Sequence, residues 1–136
     1  MVALTEGRTT AKIDGKRFAR PVAAAVKIHE GALVCLTAAG YATPGAVATT
    51  LIADGLAIKT VDNTGGAAGA VKVEIEKGVF RFANSAAGDL ITFAEVGDDA
   101  YVVDDQTVAK TSGGATRSIA GKIVDVEAQG VWIRIA

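Results

Sequence analysis

A chain of 136 residues with a net charge of −1 is about one domain, large enough to bury a core without disulfide or metal support, and too close to neutral for a dedicated nucleic-acid binder. One cysteine and one histidine exclude an intramolecular disulfide and a His/Cys zinc cluster. Half the residues are hydrophobic, yet 27 are Ala and only 5% are aromatic, so the core must rest on Val, Ile, Leu and a few Phe, and contacts between subunits are expected to complete it.

Residues 1–20 hold Arg8, Lys12, Lys16, Arg17 and Arg20 against Glu6 and Asp14, a charge of +3, while the remaining residues sum to −4. Their few bulky apolar groups are Leu4, Ile13 and Phe18, which predicts an extended N-terminal arm over residues 1–20 leading into a single β domain over residues 21–136. The opening residues lack the apolar stretch of a signal peptide, and no run of about eighteen apolar residues spans a membrane. The expected product stays in the cytoplasm or joins something assembled there.

Beyond the arm, turn signals recur about every ten residues, the spacing of short strands in a small antiparallel β-barrel or sandwich. Among them are Glu30-Gly31, Thr43-Pro44-Gly45, Asp54-Gly55, Lys77-Gly78 and Gln129-Gly130. Residues 22–28 are rich in Ala but follow Pro21, and Val26 and Ile28 alternate around Lys27, so a strand is expected there. Leu33-Val34-Cys35-Leu36 reads as a short buried strand with an inert thiol. Residues 46–53 fit either a strand or a short helix, and residues 55–61 return to alternation.

The clearest signal is Val71-Lys72-Val73-Glu74-Ile75-Glu76, apolar on one face and charged on the other, a half-buried antiparallel strand. After Lys77-Gly78, Phe80 and Phe82 share a face. Residues 101–103 and 106–110 flank Asp104-Asp105 as a hairpin, and residues 122–126 and 131–135 form a closing one.

No catalytic constellation emerges. His29 lies where a strand enters a turn, without a nucleophile or orienting group beside it in sequence. Asp98, Asp99, Asp104 and Asp105 miss the alternate spacing of a calcium loop and read as turn residues. Gly65-Gly66-Ala67-Ala68-Gly69 lacks the Lys-Ser/Thr ending of a phosphate loop and precedes a strand, so it reads as a hairpin loop. Alternation puts Arg81 opposite the rings of Phe80 and Phe82, against a nucleic-acid stacking face, while Trp132 shares a face with Arg134. No cofactor, metal, nucleic acid or membrane is expected, and no enzymatic activity.

Several segments resemble the small head decoration, or capsid cement, proteins of tailed bacteriophages. They are Gly78-Val79-Phe80, Gly97-Asp98-Asp99-Ala100-Tyr101-Val102-Val103-Asp104, Ala120-Gly121-Lys122-Ile123 and Gly130-Val131-Trp132-Ile133. They are similar to that family's Gly-Val-Phe strand, its Gly-Asp-x-x-Tyr-x-x-Asp hairpin, its Ala-Gly-x-Val/Ile strand and its closing Gly-Val-Trp-Val strand. With Glu30-Gly31-Ala32-Leu33-Val34 and Gly40-Tyr41-Ala42-Thr43-Pro44 the likeness covers roughly residues 30–135 and leaves the arm unmatched.

The resemblance implies a structural virion protein, commonly a homotrimer, that sits on the capsid exterior, bridges major capsid protein subunits and stabilises the shell. The candidate residues for capsid or subunit contact are Arg8, Lys12, Ile13, Lys16, Arg17, Phe18, Arg20 and Trp132. Two other classes stay open: another virion β-module of tail, connector or fibre base, and a small soluble binding domain.

Overall fold

The computed structural model describes residues 2–136 and contains twelve strands: β1 Arg17–Pro21, β2 Lys27–Ile28, β3 Leu33–Leu36, β4 Ala42–Pro44, β5 Ile52–Ala57, β6 Val61–Asp62, β7 Lys72–Glu76, β8 Gly78–Phe82, β9 Asp99–Val102, β10 Val108–Ala109, β11 Ile119–Glu127 and β12 Gly130–Ile135. The helical segments among the described residues are two 3-10 turns, Ala87–Asp89 and Phe93–Glu95. The fold is mostly β, as the turn spacing predicts. Its strands form three antiparallel sheets, ordered β1-β7-β5-β3-β4, β10-β9-β11-β12-β8 and β2-β6. Of the two expected architectures it is the sandwich; the sheets do not close into a barrel.

Around β3 the first sheet is a middle layer, covered on both faces. Leu33 and Cys35 of β3 pack with Phe82, Val102, Ile123 and Ile133 of the second sheet. Val34, one residue out of phase, joins Val22, Ile28, Val73 and Ile75 on the opposite face, beneath the β2-β6 ribbon. This is why Leu33-Val34-Cys35-Leu36 is a continuous apolar run: a central strand buried on both sides has no polar face. Alternation holds where one side meets solvent. In β7, Val73 and Ile75 are fully buried between exposed Lys72 and Glu74. In β12, Val131, Ile133 and Ile135 are buried around Trp132 and Arg134.

The closing hairpin β11-β12 and the β9-β10 hairpin pair as expected. Asp104 does turn work: its Oδ1 accepts the Gln106 amide at 2.9 Å.

Three expectations are corrected. Residues 22–28 are not one strand. Lys27–Ile28 pairs with β6 and Val22 makes an isolated parallel bridge to Ala42, while Ala25 between them takes φ 59 in a turn. The cause is Asn63, 3% exposed, whose Nδ2 donates to the carbonyls of Ala23 (2.9 Å) and Ala67 (3.0 Å) and holds the chain in a bend.

Asp54-Gly55 is not a turn but the interior of β5. Val34 pairs with Gly55 and Cys35 with Ala53, so Asp54 is the extra residue of a β-bulge. Gly55 is required there, because a Cβ would lie 2.6 Å from the carbonyl oxygen of Glu76 on the adjoining strand.

The arm expected over residues 1–20 divides at β1. Arg17–Pro21 pair with β7 in full register, Arg17 opposite Glu76 and Pro21 opposite Lys72. Residues 2–16 are exposed and contain no strand. Of the ambiguous segment, residues 46–51 are neither strand nor helix. Ser118 pins them, its hydroxyl donating to the Ala48 carbonyl and accepting from the Leu51 amide.

Candidate functional site

The eight residues singled out for contact fall in three places. Arg8, Lys12, Ile13 and Lys16 lie on the exposed segment before β1, with Ile13 76% exposed. Arg17, Phe18 and Arg20 belong to β1, at the edge of the first sheet. Trp132 is on the outer face of β12 in the second sheet. The structure brings Phe18 and Arg20 together and leaves Trp132 apart from them.

Phe18 and Arg20 are engaged within the chain. The Arg20 guanidinium lies 4.7 Å from the centre of the Phe18 ring, and Lys77 lies 5.9 Å from it. Both cations converge on Asp54. Arg20 Nε donates to Oδ2 at 2.6 Å and its Nη2 to Oδ1 at 3.2 Å, while Lys77 Nζ reaches Oδ1 at 3.0 Å and the Asp54 carbonyl at 2.9 Å. Burial alone raises the carboxyl's pKa, but the hydrogen bonds and charges of Arg20 and Lys77 outweigh it, and Asp54 titrates below the ordinary aspartate value. Sequence reading missed this ion cluster. Its one signal was an Asp-Gly pair set between the apolar stretches Leu51-Ile52-Ala53 and Leu56-Ala57-Ile58, and that pattern also describes a turn.

Trp132 stands opposite Arg81 in the ladder, with the guanidinium 5.9 Å from its ring and 2.8 Å from Glu127. Arg81 thus stands between Glu127 and the half-buried Trp132 on the outer face of the second sheet.

Two further surface features were not anticipated. An open cleft of about 670 Å³ lies between the start of β5 and the start of β11, lined by Leu51, Ile52, Ile119 and Ile135 together with Arg117 and Arg134. Ile52 is 66% and Ile119 49% exposed, so the apolar rim faces solvent. Arg117 donates to Asp89 (3.2 Å) and to the Thr111 carbonyl (3.1 Å), whereas Arg134 forms no ion pair among the described residues.

The second feature is the segment that carries the two 3-10 turns. Leu90, Phe93 and Val96 are 44%, 70% and 45% exposed. Thr92 and Glu95 form a capping box that fixes this knuckle, Glu95 Oε1 accepting the Thr92 amide at 2.7 Å. From Phe82 to Ala109 the chain has six carboxylates and no Lys or Arg, so the apolar knuckle sits in an acidic stretch.

Cys35 is fully buried, and desolvation, aided by the charge of Asp54, pushes its thiol up to about 12. His29 is exposed beside a shallow hollow shared with Glu30, Asp105 and Gln106. Asp99 pairs with Lys122 at 2.8 Å. Among the described residues no three His, Cys, Asp or Glu side chains are placed to hold a metal ion.

Compared with family models, with curated proteins and with solved structures, the chain matches none.

Proposed function

We propose that this protein is a structural subunit of a tailed-phage virion that decorates the outside of the capsid, bridges major capsid protein subunits and stabilises the shell. The observation that carries the reading is where the resembling segments meet. Gly78-Val79-Phe80, the Gly97–Asp104 stretch and the closing hairpin with Ala120-Gly121-Lys122-Ile123 and Gly130-Val131-Trp132-Ile133 are separate stretches of the chain. They supply β8, β9, β11 and β12, which lie side by side in one sheet. Four of the six resembling segments thus fall on one sheet, and the other two, Glu30–Val34 and Gly40–Pro44, supply the adjacent strands β3 and β4 of the first sheet.

The basic exposed segment before β1 supports attachment to an acidic shell through Arg8, Lys12 and Lys16. Ordering such a segment costs about 1–2 kcal/mol per residue in backbone entropy, and exposed ion pairs return about 1 kcal/mol or less each. Attachment therefore also uses backbone hydrogen bonds to a strand edge of the neighbour, with Ile13 as an apolar anchor. Several arms on one oligomer raise the effective concentration further.

The test is to mix purified protein with heads that lack it, sediment the particles and image them. The expected result is density on the capsid exterior between capsid subunits, and a sharp, salt-sensitive loss of occupancy when residues 2–16 are deleted. Protein found at the tail or portal assigns it to another virion module, and absence from particles overturns the virion reading.

A further inference from the structure

Strand β8 has one open edge, and backbone groups alternate between the two edges of a strand. The phase is set at both ends. The Lys77 amide donates to the Lys16 carbonyl at 2.7 Å, and the Ala83 amide to the Gln106 carbonyl at 2.7 Å. Both residues therefore face away from β12, and Val79 and Arg81, in phase with them, do the same. The result is a slot, bounded by the start of β1 at one end and by Gln106 at the other. No strand among the described residues lies along it. Phe80 at its middle is half-buried against the core of the second sheet, with Val79 and Arg81 exposed on either side.

We propose that this slot is a docking site for residues 12–15 of the same chain, which continue the β1 ladder onto β8. The Lys77–Lys16 bond already carries that ladder one step beyond Arg17. Prolonged in the same register, it sets Asp14 opposite Val79, Ile13 opposite Phe80 and Lys12 opposite Arg81. The backbone amides and carbonyls of Asp14 and Lys12 then meet those of Val79 and Arg81. Ile13, 76% exposed, gains the flank of Phe80. The hinge is Gly15. At φ 80 it turns the chain away from β8, and an extended φ, equally open to glycine, lays it along the slot. An outside strand has no such entry, because the slot is short and stopped at both ends. Ordering four residues costs backbone entropy, which the new hydrogen bonds and the cover over Phe80 offset. Lys12 facing Arg81 opposes docking, so the two forms lie close in free energy. They exclude one another: a docked segment withholds Lys12 and Ile13 from any neighbour. None of this requires a shell or a second subunit.

The experiment is residue-resolved amide hydrogen exchange on the whole chain, by NMR, for the wild type, Lys12→Glu, Asp14→Pro and Arg8→Glu. All three substituted side chains are exposed, and the Phe80 and Phe82 amides, turned toward β12, report that each variant keeps the fold. Asp14→Pro removes the amide that meets the Val79 carbonyl, so Val79 and Arg81 should exchange faster than in the wild type. Lys12→Glu places opposite charges across the ladder and should raise the ratio of docked to exposed segment about 3-fold, slowing both amides. Arg8→Glu lies outside the slot and should leave both rates unchanged. Equal rates at Val79 and Arg81 in the wild type, Lys12→Glu and Asp14→Pro overturn the proposal. A response to Arg8→Glu as large as that to Lys12→Glu marks a general charge effect and also overturns it. Slowing that appears only as protein concentration rises assigns the added strand to a second copy and overturns docking within the chain.

Discussion

Asp54 is 4% exposed and faces two cations whose side chains keep partial contact with water, 27% for Arg20 and 21% for Lys77. Removing one partner of a fully buried pair costs roughly 3–5 kcal/mol. Here the stranded cations can turn toward solvent, so Asp54→Ala should cost about 2–3 kcal/mol in urea unfolding. The carboxyl's pKa is lowered in the folded chain, so its contribution is complete above the unfolded value of about 3.9 and is lost as pH falls through the lower folded value. The stability gap between wild type and Asp54→Asn should accordingly be constant near neutrality and close as the solution is acidified below about pH 4; a gap that persists unchanged into strong acid would contradict the charge argument. Cys35 lies on the neighbouring strand and is silenced by the same burial. With a thiol pushed up to about 12, it should give no reaction with a thiol reagent at pH 8 in the native protein and one equivalent in urea.

At the scale of elements, β1 decides where the removable segment ends. Deleting residues 2–16 removes exposed chain and should shift stability by no more than about 0.5 kcal/mol. Deleting residues 2–21 takes away Phe18, Arg20 and the partner of β7, leaving Asp54 with Lys77 alone, and should lower the melting temperature by many degrees or abolish folding. Thermal melts of the two truncations separate tether from strand. Gly55→Ala tests the β5 bulge: with its new Cβ 2.6 Å from the Glu76 oxygen, it should cost about 1–3 kcal/mol. What the sequence displayed at this scale was whatever obeys a period. The alternation of β7 and β12, the double-sided run of β3 and the two hairpins of the second sheet could be read directly. Hidden were features decided by distant partners. The bulge at Asp54 puts Ala53 and Leu56 on one face and breaks the period that would have marked β5 as continuous. Asn63 bends residues 22–26 from forty positions away, and Ser118 does the same to residues 48–51 from still farther. The candidate contact residues were legible to the same degree. Trp132 lies on the outer face that alternation assigned, but Phe18 and Arg20 looked like arm residues because Asp54 and Lys77 lie far along the chain.

For the whole molecule, the pairings that build the sheets join distant segments: β1 with β7, β3 with β5 and β8 with β12. Loop-closure entropy must be overcome before such contacts form, so stopped-flow refolding should run on the order of milliseconds to seconds rather than microseconds. The same topology has a mechanical side. The Lys77 amide donates to the Lys16 carbonyl at 2.7 Å, so the N-terminal segment leaves β1 at the point where β7 passes through Lys77 into β8. A pull on that segment along the strand axis loads the five paired positions of β1 and β7 together, in shear. The same pull directed sideways opens them one at a time, as a zip opens. Because β7 and β8 are one stretch of backbone across two sheets, tension entering at β1 also passes into the second sheet without relying on side-chain packing. The fold is thus stiff to a load on its first residues along one axis and compliant across it, and the direction of the pull decides whether the β1-β7 pairing holds or peels.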